Sequence, residues 1–323
     1  MTHFSRLLLT SAATLGLFLS GCQAKTTTLA DDISKEEMVA MMKDAMTKAE
    51  ATTGDGSPAM WTFSDEDTTV YLYGTVHLLK PEVKWRSAAL DAALKDADTL
   101  VLEADVASPE SAAGLQKLVM EYGVFSDGQS LTGLLEDDDE AVVAAALQES
   151  GIPIQAFDTM KPWMVGLQLS MMQIMQAGYD PQSGVETILM ADAKDKKLAY
   201  LETAETQIKA LGGAPLDEQV QGLMATLSSM ELGEEYLDAL VAEWADGDVK
   251  GIGALMANPA MFGTQDAYDT LLTERNRNWV PGIKALLDEP GTKLVAVGAG
   301  HLAGPDSVVT MLKKDGIKIK VVQ

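Results

Sequence analysis

The stretch YLYGTVHLLK (Tyr71–Lys80) decides how this chain is read. Its alternating apolar residues mark a strand, which ends in Gly74 and presents His77 three positions later. The chain contains three histidines, His3, His77 and His301. His301 stands in LVAVGAGHLAG (Leu294–Gly304), where a second apolar strand ends in Gly298 three residues before the imidazole. His3 falls in a leader segment, so both remaining histidines share one context, a Gly-x-x-His at a strand end. Glycine lacks a β-carbon. The backbone at Gly74 and Gly298 can therefore bend or approach a neighbour and aim the following histidine into a shared pocket.

Residues 1–22, MTHFSRLLLTSAATLGLFLSGC, have the order of a secretory leader: Arg6 near the start, an apolar run from Leu7 to Leu19, then small residues. The run is shorter than the roughly 20 apolar residues a bilayer span requires. Leu19-Ser20-Gly21-Cys22 matches a bacterial lipobox, which predicts acylation at Cys22 and a lipid anchor. Cys22 is the sole cysteine, so the chain forms no internal disulfide. Gln23 follows it rather than Asp, which by the lipoprotein sorting rule predicts an envelope protein on the outer membrane facing the periplasm. The formal net charge of −24 excludes nucleic acid as a partner and assigns membrane attachment to acyl chains rather than a basic patch.

Residues 23–58 read as a tether. SKEEMVAMMKDAMTKAEA opens on a capping-box pattern, Ser34 and Glu37, and places Met38, Met41, Met42 and Ala45 on one helical face that docks on the body. TTGDGSPA (Thr52–Ala59) reads as a flexible break. The compact domain occupies residues 59–323. It starts with two strands around Asp65-Glu66-Asp67, a helix over Val83–Ala97 with Trp85, Ala89 and Leu94 inward, and a strand in DTLVLEAD. Helical patterns fill most of the middle, interrupted by the strand LAYLET and ending in a long helix over Ala267–Leu287. Strand KLVAVGAG, helix PDSVVTMLKKDG and strand IKIKVV close the chain. Strand, Gly-x-x-His, helix and strand recur at both ends. The expected fold is α/β, a central sheet built from two related halves with a mostly helical middle region.

Open α/β sheets bind ligands beyond the carboxyl ends of their strands. Three strands place His77, Glu103 and His301 at that edge. Two imidazoles and a carboxylate with an open face suffice as ligands for a divalent metal ion, which would activate water for hydrolysis. The spacing carries no zinc-finger or His-Glu-x-x-His regularity. Structural histidines at two strand ends remain the plainer alternative.

YGTVH, LVLEAD, LAYLETAETQ, LLTERNRNW and VAVGAGHLAGPDSVVTMLKKDGIKI, taken together and in this order, resemble the TraB/GumN family, which includes the Tiki proteases. The resemblance covers about Met60 to Val322. It implies an α/β fold whose two halves bring their Gly-x-x-His motifs together, and a hydrolase related to metal-dependent peptidases and, more distantly, to erythromycin-esterase-like enzymes. It marks Gly74, His77, Glu103, Gly298 and His301 as motif residues. His77 and His301 are then ligands for Mn, Co or Zn, and Glu103 is a third ligand or the base that takes a proton from water. Glu202 and Gln207 border the cleft, with Glu202 alternatively serving a helix N-terminus. Arg275, beside Asn276, holds an acidic partner or stabilises an oxyanion. Where many relatives read Gly-Ile-Asp, this chain has Gly184-Val185-Glu186, with its carboxylate on a longer arm.

The leading expectation is a lipid-anchored, metal-dependent peptidase acting on an unidentified peptide or protein. A metal-free hydrolase with His77 or His301 as general base is the second, and a peptide-sequestering protein the third. Met164, Met171, Met172 and Met175 either floor a peptide groove or pack the core.

Overall fold

The computed structural model describes residues 35–106, 108–126, 128–148, 151–230, 232–256, 262 and 264–322. Cys22, the leader and Ser34 lie outside the described residues. Six strands form one mixed sheet: β1 Met60–Ser64, β2 Thr68–Thr75, β3 Thr99–Leu102, β4 Lys197–Tyr200, β5 Gly291–Gly298 and β6 Lys320–Val322. Their spatial order is β4-β3-β5-β2-β1-β6. The four strands from β4 to β2 are parallel, while β1 runs antiparallel to both β2 and β6. The two Gly-x-x-His strands are neighbours, in a register that opposes Thr75 to Gly298. Both histidines thus leave the same edge of the sheet.

Side chains alternate across the sheet as a period of two requires. Tyr73, Leu100, Leu102, Leu294 and Ala296 face one way, onto Leu90, Leu94, Val185, Leu189 and Trp244. Leu72, Val101, Val295 and Val297 face the other, onto Trp279, Ile283, Val308 and Leu312. The central strands are buried on both faces, which is why they read as nearly continuous apolar runs. The helical middle has its own core around Leu131, Val143, Leu147, Phe157, Val165, Leu169, Leu223 and Leu227.

Several expected boundaries shift, each for a local reason. The first helix of the compact domain spans only Ala88–Asp96, because Ser87 caps it by accepting from the Leu90 N–H. Trp85 is buried in the loop before it rather than on it. The long helix expected over Ala267–Leu287 is interrupted: helix Gln265–Tyr268 passes into a π-helical turn, Asp269–Thr273, before helix Glu274–Ala285. The Glu274 N–H there reaches back five residues to the Asp269 carbonyl. The last strand shortens to Lys320–Val322.

The stretch expected to be a flexible break is pinned. The Gly54 N–H donates to the Asp246 carboxylate at 2.6 Å and the Gly56 N–H to the Asp246 carbonyl at 2.9 Å. A β-carbon on Gly54 would lie 2.1 Å from that carbonyl oxygen, so only glycine fits the approach. Helix Lys35–Glu50 buries Met42, Ala45 and Ala49 against Leu232, Tyr236 and Leu255. Met42 is fully buried. Met42→Ala is expected to lower the unfolding free energy by about 2–5 kcal/mol, measured by urea denaturation. A change below about 0.5 kcal/mol, the surface-substitution range, would show that the helix is not packed on the body.

Candidate functional site

The carboxyl ends of three of the four parallel strands converge on one guanidinium. Glu103 follows β3, Glu202 follows β4, His301 follows β5 through the short 3-10 turn Ala299–His301, and Arg275 enters from helix Glu274–Ala285. Arg275 Nη2 donates to Glu103 Oε2 at 2.7 Å and to Glu202 Oε1 at 2.6 Å. Its Nε donates to both Glu202 oxygens, and its Nη1 to the Leu271 carbonyl and His301 Nε2, each at 3.1 Å. A guanidinium has five N–H donors, and these contacts occupy all of them. Arg275 therefore holds acidic partners, as one expectation had it, and keeps no donor for an oxyanion.

The remaining polar atoms of the cluster are also matched. Glu103 Oε1 accepts from the Gly298 N–H at 2.8 Å, and its Oε2 from Gln207 Nε2 at 3.0 Å. Trp279 Nε1 donates to Glu202 Oε2 at 3.0 Å, while the Trp279 ring lies 4.4 Å from the His301 ring and 4.8 Å from the Arg275 guanidinium carbon. Asn276 Oδ1 meets His301 Nδ1 at 2.6 Å, and its Nδ2 donates to the Asp306 carbonyl. Arginine can only donate, so His301 Nε2 is the acceptor and Nδ1 carries the proton given to Asn276. The motif glycines have steric roles. A β-carbon on Gly298 would come within 3.3 Å of Glu103 Oε1, and one on Gly74 within 3.2 Å of the Ala299 backbone.

His77 stands apart from this buried knot. Its side chain is 66% exposed, against 7% for His301. It is surrounded by protein yet open to water. Its Nδ1 lies 2.8 Å from Glu186 Oε1, and the Thr75 hydroxyl donates to the same oxygen. Glu186 reaches this place because the Val185 N–H donates to the Val76 carbonyl at 3.0 Å and Gly184 presses on the His77 backbone. A β-carbon on Gly184 would fall 2.1 Å from the His77 carbonyl oxygen. The longer arm of glutamate has a fixed place here, and Gly184-Val185-Glu186 was its only trace in the sequence.

A family model described as TraB/PrgY/gumN matches residues 59–321, from β1 through β6. The chain belongs to this family. Among similar TraB/PrgY/gumN proteins, the Escherichia coli (strain K12) "Uncharacterized protein YbaP" is 26% identical over 245 residues, 75% of this chain and 87% of the relative. An uncharacterized protein of Treponema pallidum (strain Nichols) is 21% identical over 274 residues, 79% of this chain and 80% of the relative. No solved structure matches significantly. The family match leaves helix Lys35–Glu50 outside it.

Environment separates the two histidines of this TraB/PrgY/gumN chain. Burial pushes the His301 pKa down to about 3, opposed by Glu103 and reinforced by Arg275 and His77. His301 is therefore neutral at pH 7. The hydrogen bond to Glu186 outweighs desolvation and lifts His77 to about 9. Desolvation would raise Glu103, but His301, Arg275, the Gly298 N–H and His77 together hold it at about 2. With His301 uncharged at neutral pH, Arg275 and the Gly298 N–H do most of that work. An acid this strong, with both oxygens engaged, is a poor base for water.

The trio His77, Glu103 and His301 was expected to hold a divalent ion. In this arrangement Arg275 donates to two of the three prospective ligands, and its charge opposes a second cation there. Among the described residues no group of three His, Cys, Asp or Glu side chains is placed to hold a metal ion. As folded here, the trio does not fit the ion.

Linkage gives this cluster a pH signature. Between pH 6.5 and about 3 the unfolded chain protonates His301 while the folded one does not, so stability falls as pH drops through that window. Glu103 adds a loss between 4.5 and about 2. In His301→Gln, thermal melting is expected to lose its slope between pH 6.5 and 4.5, whatever its absolute midpoint. A slope equal to wild type would remove His301 as the source.

Proposed function

We propose that this protein is a hydrolase whose working group is His77, in a mechanism that needs no metal. The observation that carries this reading is the pairing of an exposed imidazole with a largely buried carboxylate, His77 Nδ1 to Glu186 Oε1 at 2.8 Å, at the carboxyl edge of the parallel strands. Glu186 holds Nδ1 and leaves Nε2 free to face solvent, the arrangement that prepares an imidazole for general base catalysis. In its neutral form, His77 Nε2 takes a proton from water as the water oxygen bonds to the carbonyl carbon of an ester or amide. The same nitrogen then returns that proton to the leaving group as the scissile bond breaks. Glu103, Glu202, Arg275 and His301 form the buried cluster at the same sheet edge, and the charge of Glu103 favours the protonated form of His77.

The lipobox at Cys22 supports a lipid-anchored enzyme of the cell envelope, on the outer membrane facing the periplasm, and the family resemblance supports a peptide or protein substrate.

A panel of nitrophenyl esters and peptide nitroanilides tests the reading. The value of kcat/KM is expected to rise with pH to a plateau above about 9, because the conjugate acid of His77 must lose its proton first. Glu186→Gln removes the group that raises this pKa, so the midpoint moves down toward 6.5. His77→Ala abolishes turnover and exhaustive chelation leaves the wild type unchanged. Full activity in His77→Ala would overturn the proposal. Loss on chelation with recovery on adding Zn²⁺, Mn²⁺ or Co²⁺ would transfer it to the metal-dependent mechanism.

A further inference from the structure

A cavity of about 720 Å³ opens in the helical middle region, among helices Pro162–Gln176, Ala204–Gly212 and Leu216–Met230 and the π turn. A second of about 330 Å³ adjoins it, sharing Tyr122, Gly213, Ala214, Pro215 and Gln219. The first falls within the roughly 300–1,000 Å³ typical of small-molecule sites. Trp163, Leu167 and Leu223 give it an apolar wall, and Leu167 is 44% exposed. Met164, Met171, Met172 and Met175 do not line it, although they share a helix with Trp163 and Leu167.

The wall carries two carboxylates against one ammonium. Lys209 is already paired with Glu205 at 2.6 Å. Glu218 and Asp266 both line the cavity. Burial and the nearby carboxylates of Asp266 and Asp217 hold the Glu218 pKa above its ordinary value. Gln219, also in the wall, leaves its buried Oε1 without a partner. An apolar groove with uncompensated carboxylates is complementary to one kind of ligand.

We propose that this groove binds a small amphipathic cation, its aromatic or alkyl body against Trp163, Leu167 and Leu223 and its ammonium group facing Glu218 and Asp266. The site is separate from the His77–Glu186 dyad and does not depend on the hydrolase reading. It nonetheless borders the Arg275 cluster, since Leu271 lines the groove and its carbonyl braces Arg275.

Calorimetric titration of the full chain at low salt tests this, with 2-phenylethylamine as probe and 3-phenylpropionate as its anionic counterpart. The amine is expected to bind saturably at one site and the carboxylate not to bind. The E218Q/D266N double variant should weaken the amine by about tenfold, the loss of one charge-assisted contact. Gly222 lines the cavity, and a β-carbon there would meet nothing within 4 Å, so Gly222→Leu projects into the groove without a clash at its first atom. It should abolish binding while circular dichroism stays unchanged, and His77→Ala should bind the amine as wild type does. The proposal is overturned by absence of saturation up to about 10 mM, the weakest affinity expected for a ligand of this size. Equal binding of the carboxylate, unaltered binding in Gly222→Leu, or loss of binding in His77→Ala overturns it as well.

Discussion

One guanidinium governs this site. Glu103 and Glu202 end two neighbouring strands, and their carboxylates are brought together out of water, where two like charges would repel strongly. Arg275 makes that meeting possible by bonding to both. Removing one partner from such a buried group leaves an uncompensated charge, typically at a cost of about 3–5 kcal/mol. The π turn belongs to the same constraint, because it places the Leu271 carbonyl under Nη1. A lysine has neither the planar fork nor the number of donors to replace it.

The two Gly-x-x-His motifs are alike in sequence and opposite in chemistry. His301 is enclosed by Trp279, Asn276 and Arg275, which hold it neutral in one tautomer. His77 is open to solvent and tethered to a carboxylate that favours its charged form. Environments that push two like groups apart in pKa also divide their work. Under the proposed function, the division leaves the buried ring as structure and gives the exposed ring the reacting role.

Much of this was legible in the sequence. The strand ends, their shared edge and the use of glycine at Gly74 and Gly298 follow from alternation, from the placement of ligands in parallel sheets, and from the family motifs, but the sequence grouped His77 with Glu103 and His301, whereas the structure gathers Glu103, Glu202 and His301 on Arg275. What escaped the sequence is how donors are shared out. Whether Arg275 keeps a free N–H depends on six distances between four chain segments, and no spacing rule carries them. Glu186 was equally hidden, since its role rests on the Val185–Val76 backbone bond and on Gly184 touching the His77 carbonyl. The Thr52–Ala59 stretch looked loose because Gly and Ser mark both flexible breaks and tight backbone contacts; the Asp246 carbonyl decides between them.

The central pairing of β2 with β5 joins residues 68–75 to residues 291–298. A sheet whose middle seam is stitched from opposite ends of the chain has a long loop to close before that seam contributes any stability, which slows folding. During synthesis, β2 has to wait for almost the entire sequence before its parallel neighbour emerges. The helical middle, rich in local contacts, is free to condense earlier. The knot around Arg275 is therefore among the last features to assemble, and any cleavage or truncation that removes β5 leaves β2 with its buried edge unpaired.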